Sequence, residues 1–335
     1  MTTIENISID AISCAVPKQH LSLWDYAPDL LNEQTYKHMV RTTGFKSLRI
    51  TPDNVTTSDL VVAAAEPLLK DVDKNNFGAV VFVTQTPDYD VPATSHILQD
   101  RLGFGNNVLC LDINEGCSGY MTGFFTASVL AKQFNKKVFL GVGDTPSKTS
   151  DPKDRGTRCI FGDAGTATII SPVSSGGQDI PFNFFSYGDR YDVIINYNSA
   201  MRKIENPPNA GFTHMDGVGV MNFTLDEVYD VIENFLAERN LSKDDIDFFA
   251  FHQANKKIVN SLAAKLGVPK DKVPFTSAEI GNESSASIPL VLTYLAENNL
   301  PMNKICCCGF GVGLSIGICT ADFSKTKFHG VLEFE

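Results

Sequence analysis

The sequence has few basic residues, a single tryptophan and no long run of apolar residues. Its 28 lysines and arginines are outnumbered by 39 aspartates and glutamates, giving a formal net charge of −11. Neutralising nucleic-acid phosphates requires a basic face, so this charge argues against nucleic acid as a partner. No apolar stretch approaches the roughly 20 residues of a membrane span, and the first residues lack the regions of a signal peptide. We therefore expect a cytoplasmic protein without membrane contact.

The cysteines do not show the spacing of a metal site. There are eight of them in 335 residues, including the triplet Cys306–Cys308 in an apolar segment, and no two are separated as in C-x-x-C. Reduced thiols in a cytoplasm, and no bound metal, are the simplest interpretation. An apolar content of 43% is ordinary for a globular protein, and the length favours two domains or one large duplicated domain.

The segment Val108–Ala131 has the pattern of a strand, a tight turn and a helix. An apolar run is followed by Asn114-Glu115-Gly116, and Cys117 then opens a long segment with small residues at helical spacing. A thiol at a helix N-terminus meets free N–H groups and the helix dipole, which lower its pKa and favour a nucleophile that attacks carbonyls. The alternative is that Cys117 is a small core residue.

The second half of the sequence repeats the order of elements of the first, at an offset of about 166 residues. Strand Gly78–Thr84 corresponds to Phe248–Phe251, and the strand, turn and helix around Cys117 correspond to strand Val273–Thr276 with helix Ser285–Ala296. Alternating strands and helices predict an α/β fold with mostly parallel strands. We expect an N-terminal half, residues 1–172, and a C-terminal half, residues 173–335, related by a pseudo-two-fold axis that brings equivalent turns together.

Three polar residues follow apolar segments at corresponding places: Cys117 in the first half, and His252 and Asn282 in the second. Ligands of open α/β sheets gather at the carboxyl ends of the strands. Taken alone, His252 is a satisfied structural histidine and Asn282 a turn or cap residue. Together with a cysteine at the equivalent edge, they predict one catalytic centre.

The motifs resemble those of the β-ketoacyl-[acyl-carrier-protein] synthase III family, of the thiolase superfamily. The resemblance covers nearly the whole chain and rests on CSG at 117–119, DPKDRGTRCIFGDAG at 151–165, FHQAN at 251–255, GNESSASIPLVL at 281–292 and GFGVGLS at 309–315. It implies a thiolase-like duplicated fold of five αβαβα layers and a homodimer.

The resemblance also implies a two-step reaction without a bound cofactor. Cys117 would take an acyl group from a thioester such as acyl-CoA, with the backbone N–H groups of Cys117 and Val312 as the oxyanion hole. Malonyl-acyl carrier protein would then lose carbon dioxide while His252 Nε2 and the Asn282 amide donate hydrogen bonds to the developing enolate. Neutral, fixed donors suit this charge.

Further roles follow from the same resemblance. Arg155 would contact the nucleotide of CoA, or else be an exposed loop charge. Lys256 and Lys257 would contact the carrier protein, or else be a solvated helix face. Phe310 would pack in the active site, and Val91 would close the acyl pocket of the neighbouring subunit. Gly162-Asp163 is interpreted as a structural turn.

Three departures from the family's motifs leave other functions open. His38 stands where the family has a tryptophan that stacks on CoA, and Val91 stands where a bulkier aromatic residue is frequent. Glu115 lies two residues before Cys117, at a position where alanine is common. A pocket-facing Glu115 would raise the thiol pKa and could serve as a base, although an exposed turn carboxylate is the simpler interpretation. The alternatives are acyl transfer to an amine or hydroxyl acceptor without decarboxylation, and a non-catalytic partner subunit.

Overall fold

The structure, a computed structural model, describes residues 2–335. Within that range the strands are β1 Thr2–Pro17, β2 His20–Ser22, β3 Ser47–Arg49, β4 Phe77–Val83, β5 Leu109–Ile113, β6 Lys137–Asp144, β7 Ala164–Pro172, β8 Gln178–Ser186, β9 Ile194–Asn196, β10 Thr213–Met215, β11 Phe248–Phe251, β12 Ile305–Gly311, β13 Ser315–Ala321 and β14 Lys327–Phe334. The α-helices are α1 Leu23–Tyr26, α2 Glu33–Thr43, α3 Thr57–Leu69, α4 Thr94–Arg101, α5 Gly119–Phe134, α6 Arg155–Arg158, α7 Gly217–Phe223, α8 Tyr229–Ala237, α9 Lys256–Leu266 and α10 Ser287–Glu297.

Ten strands form one sheet in the order β11-β12-β13-β8-β1-β7-β6-β4-β5, with β14 also paired to β1. Strands β4, β5 and β6 run parallel, as do β11 and β12, whereas β7 and β13 are antiparallel to their neighbours. The predicted boundary at residues 172 and 173 falls in the connection between β7 and β8. Because β1 pairs with β8 as well as β7, hydrogen bonds cross from one predicted half to the other, and the division into halves stays a prediction.

Three large apolar clusters separate the layers. Helices α3 and α4 pack on one face of β4, β6 and β7, and α8 and α9 pack on one face of β11–β13. Between them, α5 and α10 are buried against strands of both halves. Side chains alternate along each strand, so Cys307 joins the central cluster while Cys306 and Cys308 join the outer one. The predicted arrangement of five αβαβα layers is therefore observed.

The helix that precedes Gly267 shows how local sequence sets the bounds of an element. The Asn255 side chain accepts a hydrogen bond from the backbone N–H of Ile258 at 2.8 Å and begins α9, while Gly267, at φ +69°, ends it in the left-handed conformation. Apolar residues at helical spacing bury one face of α9, which leaves Lys256 and Lys257 exposed in its first turn.

The predicted strand Val273–Thr276 is wrong, because this segment is irregular in the structure. Pro274 has no N–H to give to a strand ladder. The side chain of Gln253 replaces a neighbouring strand: its amide donates to the Pro274 carbonyl at 3.3 Å, and its carbonyl accepts from the Thr276 N–H at 2.9 Å. No helix in residues 2–335 is long and apolar enough to cross a bilayer.

Candidate active site

Cys117 lies in the turn between β5 and α5, two residues before the first residue of the helix. The turn is tight, with the Gly119 N–H donating to the Gly116 carbonyl at 2.6 Å. It approaches the β12–β13 loop so closely that a Cβ atom on Gly311 would lie 2.8 Å from the Cys117 sulfur. Gly311 also has φ +149°, so both space and backbone conformation require glycine at this position.

Two backbone N–H groups converge on the Cys117 thiol, one from Val312 and one from Cys117 itself. Both favour negative charge on the sulfur and lower its pKa. Burial has the larger effect, however, and the thiol pKa is raised to about 11. The predicted lowering of the Cys117 pKa is therefore wrong: the thiol carries its proton at neutral pH. The sequence analysis predicts the same pair of N–H groups, from Cys117 and Val312, as an oxyanion hole, and this role stays a prediction.

His252 emerges directly after β11 and is almost completely buried. Its backbone N–H donates to the Cys308 carbonyl at 3.0 Å, and Nδ1 lies 3.1 Å from Ser287 Oγ, so Nε2 is left for the cavity. Burial lowers the His252 pKa to about 3, and a hydrogen bond between the ring and the Ser284 backbone opposes this shift only in part. The imidazole is therefore neutral at physiological pH. The His252 ring and the buried Phe310 ring lie nearly perpendicular to each other, with their centroids 5.7 Å apart.

Asn282 is held on both sides by backbone. Its own N–H donates to the Ile160 carbonyl at 2.7 Å, and its side-chain Oδ1 accepts from the Ser284 N–H at 3.0 Å. With Oδ1 occupied, the side chain presents its NH₂ group as a donor. Gly281, at φ +107°, permits this approach, because a Cβ atom there would lie 2.7 Å from the Gly162 nitrogen.

Cys117, His252 and Asn282 line one cavity of about 490 Å³, which lies within the size range of small-molecule sites. Val312 and Phe310 line it too. The segment between β8 and α7, which carries β9 and β10, supplies further lining residues that the sequence analysis missed. Among them are Ile194, Ile195, Asn196, Thr213 and Met215. Within residues 2–335 no group of three or more His, Cys, Asp or Glu side chains is arranged to hold a metal ion.

The other predicted binding residues lie outside this cavity. Arg155 and His38 share a second cavity, of about 490 Å³, with residues of α2. Lys256 and Lys257 line a shallow surface depression together with Arg41 and Lys270. The Val91 side chain is 83% exposed and does not line the cavity of its own chain.

Acidic residues near the site have three different surroundings. Glu115 is not among the residues lining the Cys117 cavity, and its carboxylate accepts a 2.6 Å hydrogen bond from Ser118 Oγ. Asp163 is buried and accepts from the backbone N–H and hydroxyl groups of Thr51 and Ser147, which fits the predicted structural turn. The sequence analysis missed Asp144, which lines the cavity from the end of β6.

Asp144 and Glu283 are the two buried carboxyl groups beside the Asn282 turn. Asp144 accepts from Ser285 Oγ at 2.6 Å and from the Gln85 N–H at 2.7 Å. Glu283 contacts Ser287 and has one carboxyl oxygen without a partner. Burial raises the pKa of both, and that of Glu283 reaches about 7. An acidic residue in the GNESSASIP motif, whose other residues are uncharged and mostly small, was the signal that could have identified Glu283.

Comparison with known proteins gives a consistent result. Family models described as 3-oxoacyl-[acyl-carrier-protein] synthase III match residues 111–188 and, for the C-terminal part, residues 236–323. The β-ketoacyl-[acyl-carrier-protein] synthase III of Staphylococcus saprophyticus is 32% identical over 314 residues, covering 90% of this chain and 97% of that protein. The corresponding enzyme of Natranaerobius thermophilus is 32% identical over 83% of this chain and 88% of its own.

The solved structures agree with the sequence relatives. The 3-oxoacyl-(acyl-carrier protein) synthase of Burkholderia xenovorans LB400 matches with a TM-score of 0.94 at 30% identity, over 99% of this chain and 98% of that one. The predicted thiolase-like fold is therefore confirmed. By sequence and by structure, the chain belongs to the 3-oxoacyl-[acyl-carrier-protein] synthase III family.

Proposed function

We propose that this enzyme accepts an acyl group on Cys117 and condenses it with malonyl-acyl carrier protein to give a β-ketoacyl product. The observation that carries the proposal is the convergence, on one cavity, of a thiol, two backbone N–H groups and two neutral side chains. The relatives are named for this synthase activity, which supports condensation over simple acyl transfer.

In the first step the Cys117 sulfur attacks the carbonyl carbon of an acyl thioester. The carbonyl oxygen becomes an oxyanion in the position where the N–H groups of Cys117 and Val312 converge. Collapse of the tetrahedral intermediate breaks the bond to the leaving thiol, which departs with the proton that Cys117 gives up. Acyl-CoA, the proposed donor, would place its nucleotide at the Arg155 cavity.

In the second step the malonyl thioester loses carbon dioxide. The electron pair of the broken C–C bond passes into an enolate, whose oxygen is stabilised by His252 and by the Asn282 NH₂ group. The enolate carbon then attacks the acyl-cysteine carbonyl, and Cys117 leaves as a thiolate that regains a proton. A neutral imidazole suits this role because an imidazolium would surrender its proton to the enolate, whereas a buried neutral donor stabilises the charge in place.

The acyl carrier protein is proposed to dock beside α9. Lys256, Lys257, Arg41 and Lys270 form a local basic surface on a chain whose net charge is −11, and they line one depression. Such a patch steers an acidic partner protein by long-range attraction. The chemistry uses thioester substrates and the chain's own side chains, so we propose no resident cofactor. The eight cysteines, all free thiols in the structure, support the proposal of a reducing, cytoplasmic setting.

The functional unit is proposed to be a homodimer built on the β5 edge. β5 is the last strand of the sheet, and its unpaired edge carries apolar residues, including Leu109 with 42% of its surface exposed. Val91 and Tyr89 lie in the loop between β4 and α4, with 83% and 64% of their surfaces exposed. A second copy pairing at this edge would cover them and would bring Val91 toward the acyl pocket of its partner. A side chain of this small size would admit a longer or branched acyl group.

Intact-protein mass spectrometry tests the reaction. The protein is mixed with acetyl-CoA, longer acyl-CoA thioesters and acyl-carrier thioesters, and malonyl-acyl carrier protein is then added. We expect an acyl adduct that is absent in Cys117→Ala, present in Cys110→Ala, and converted to a β-ketoacyl product by malonyl-carrier. Cys110 is the matched control because it is the other cysteine that is not fully buried.

Two results would contradict the proposal. An adduct that ignores malonyl-carrier but passes its acyl group to amines or hydroxyl compounds would establish acyl transfer without decarboxylation. No adduct with any donor would exclude Cys117 as the nucleophile and leave the partner-subunit interpretation.

A clear preference for acetyl over medium-chain thioesters would overturn the assignment of Val91 to an enlarged acyl pocket.

A further inference from the structure

Glu283, immediately after Asn282, is a fully buried carboxyl group without a charged partner. Its side chain is 0% exposed, and no lysine, arginine or histidine forms an ion pair with it in residues 2–335. Oε2 lies 3.2 Å from Ser287 Oγ, and Oε1 has no hydrogen-bond partner in the described part of the chain. Burying a carboxyl group without a charged partner lowers the stability of the folded protein. Such a group therefore calls for an explanation, and a role in the site is one.

Ser287 joins Glu283 to the catalytic imidazole. Its hydroxyl oxygen lies 3.2 Å from Glu283 Oε2, 3.0 Å from the Ser284 carbonyl and 3.1 Å from His252 Nδ1. A serine hydroxyl has one hydrogen and can donate only one full hydrogen bond at a time. The direction of that bond determines whether Nδ1 of His252 must accept or donate, and so which ring nitrogen carries the proton.

We propose that Glu283 is a positioning residue that acts through Ser287 to set the tautomer of His252, and that its protonation selects between the two steps of the reaction. This inference rests on the proposed function, because it assigns the two tautomers to acylation and decarboxylation.

The proton balance is closed within three side chains. When Glu283 is protonated, its Oε2–H donates to Ser287 Oγ, the hydroxyl donates to His252 Nδ1, and Nε2–H faces the cavity as a donor. When the group ionises, the carboxyl proton moves to Ser287, the hydroxyl proton moves to Nδ1, and the Nε2 proton leaves through the cavity. One proton is lost in total, the imidazole stays neutral throughout, and Nε2 then presents a lone pair.

The surroundings of Glu283 support such a transition near neutral pH. Burial raises the Glu283 pKa to about 7, and the smaller opposing effects come from the Ser277 hydroxyl, the Glu283 backbone N–H and the Ser287 hydroxyl. The titratable groups on neighbouring elements are Cys14 on β1, His252 after β11 and Asp144 on β6. The Cys14 pKa is raised to about 12, so this thiol stays neutral, and Asp144 is occupied by Ser285 and Gln85. Glu297 at the end of α10 acts on Cys14 and not on Glu283.

Each tautomer fits a different step. Nε2–H is the donor that the enolate oxygen requires during decarboxylation, so this step needs protonated Glu283. A lone pair on Nε2 can accept the proton of the buried Cys117 thiol while Nδ1 returns its own proton through Ser287 to the ionised Glu283. The imidazole stays neutral, and acylation is favoured when Glu283 is ionised. The decarboxylation rate should therefore fall about tenfold per pH unit above the transition, and the acylation rate should rise through it.

Nitrogen NMR of histidine-labelled enzyme tests the proposal without any substrate. The chain has six histidines, and the His252 signals are identified by their loss in His252→Gln. We expect the wild-type ring to change from the Nε2–H to the Nδ1–H form between about pH 6 and pH 8, without becoming doubly protonated. In Glu283→Gln the amide always donates to Ser287, so we expect the Nε2–H form at every pH. Glu279→Gln removes an exposed carboxylate in the same loop and should titrate like the wild type.

Kinetics supply the second readout. Release of carbon dioxide from malonyl-carrier protein, and adduct formation from acetyl-CoA, are followed from pH 6 to pH 9. We expect Glu283→Gln to lose the alkaline fall of decarboxylation and Glu279→Gln to keep it. A wild-type His252 tautomer that does not change with pH would overturn the proposal even if Glu283→Gln fails to fold. Persistence of the tautomer change in a folded Glu283→Gln would also overturn it. Failure of the proposed function is distinct, because it would show as an absent Cys117 adduct while the NMR transition remains.

Discussion

The two turns that build the site use different donors. The turn before α5 presents its chemistry through the backbone: N–H groups of Cys117 and Val312 converge on one point, and Gly311 allows them to do so. The turn before α10 presents its chemistry through side chains, the Asn282 amide and, by way of Ser287, the His252 ring. Although the sequence analysis predicts that the two turns correspond, we propose that they serve different parts of the reaction.

The difference has consequences for mutation. Backbone donors cannot be removed by changing their own side chains, so the first turn is sensitive only to residues that set its spacing. Side-chain donors can be replaced one at a time, so the second turn can lose part of its function while keeping its shape. A substitution in one turn should therefore leave the other turn intact, which makes the unaffected turn an internal control.

The largest effect is expected from Gly311→Ala. The added methyl group would lie 2.6 Å from Cys117 Cβ and 2.8 Å from its sulfur, at a φ of +149° that alanine adopts only with strain. Displacing the oxyanion donors should lower the rate of acyl-enzyme formation by about 10³-fold. Gly188→Ala is the control, because nothing lies within 4 Å of its added Cβ. Near-normal acylation of Gly311→Ala would show that Val312 is not an oxyanion donor.

Asn282→Asp should separate the two steps of the reaction. Aspartate keeps the oxygen that accepts from the Ser284 N–H, but it replaces the NH₂ donor by an oxygen that repels an enolate. We expect decarboxylation of malonyl-carrier to fall by about 10²–10³-fold while the Cys117 adduct still forms. Carbon dioxide release and adduct mass, measured on the same sample, check this. Equal losses in both steps would mean that Asn282 serves the whole cavity rather than the enolate.

This contrast also marks how far the sequence alone could be interpreted. The order of strands and helices and the Cys117, His252 and Asn282 positions follow from local patterns and motifs that each occupy a few residues. The direction of the Cys117 pKa could not be predicted in this way, because it depends on burial by the β12–β13 loop, about 200 residues away. The prediction of a strand at 273–276 was wrong for a similar reason. The side chain of Gln253, a residue about 20 positions away, forms the hydrogen bonds to the backbone there that a neighbouring strand would form.

Two buried carboxyl groups lie at the second turn, Glu283 within it and Asp144 at the end of β6. Its oxygens accept from Ser285 and from the Gln85 N–H, so it fastens the Asn282 turn to β6. In Asp144→Asn, an NH₂ group must face one of these donors. We expect the free energy of unfolding to fall by about 2–4 kcal/mol, measured by denaturant titration at pH 7. No loss of stability would show that the turn is held by other contacts.

Glu283→Gln should have an effect of the opposite sign, and one that appears only as the pH rises. The Glu283 pKa rises from an ordinary value of 4.5 to about 7 in the folded protein, so between these pH values the unfolded chain ionises while the folded protein keeps its proton. Fewer protons are then bound in the unfolded state, and the free energy of unfolding falls as pH rises from about 4.5 to about 7. The variant lacks this decline, so its stability relative to the wild type should grow over that range, by about 2–3 kcal/mol, and level off above it. Denaturant titrations at pH 5 and pH 8 measure the difference, with Glu279→Gln as the exposed control.

A difference in stability that is the same at both pH values would mean that Glu283 does not titrate in this range. The buried carboxyl group of this turn would then be, like Asp144, a purely structural acceptor.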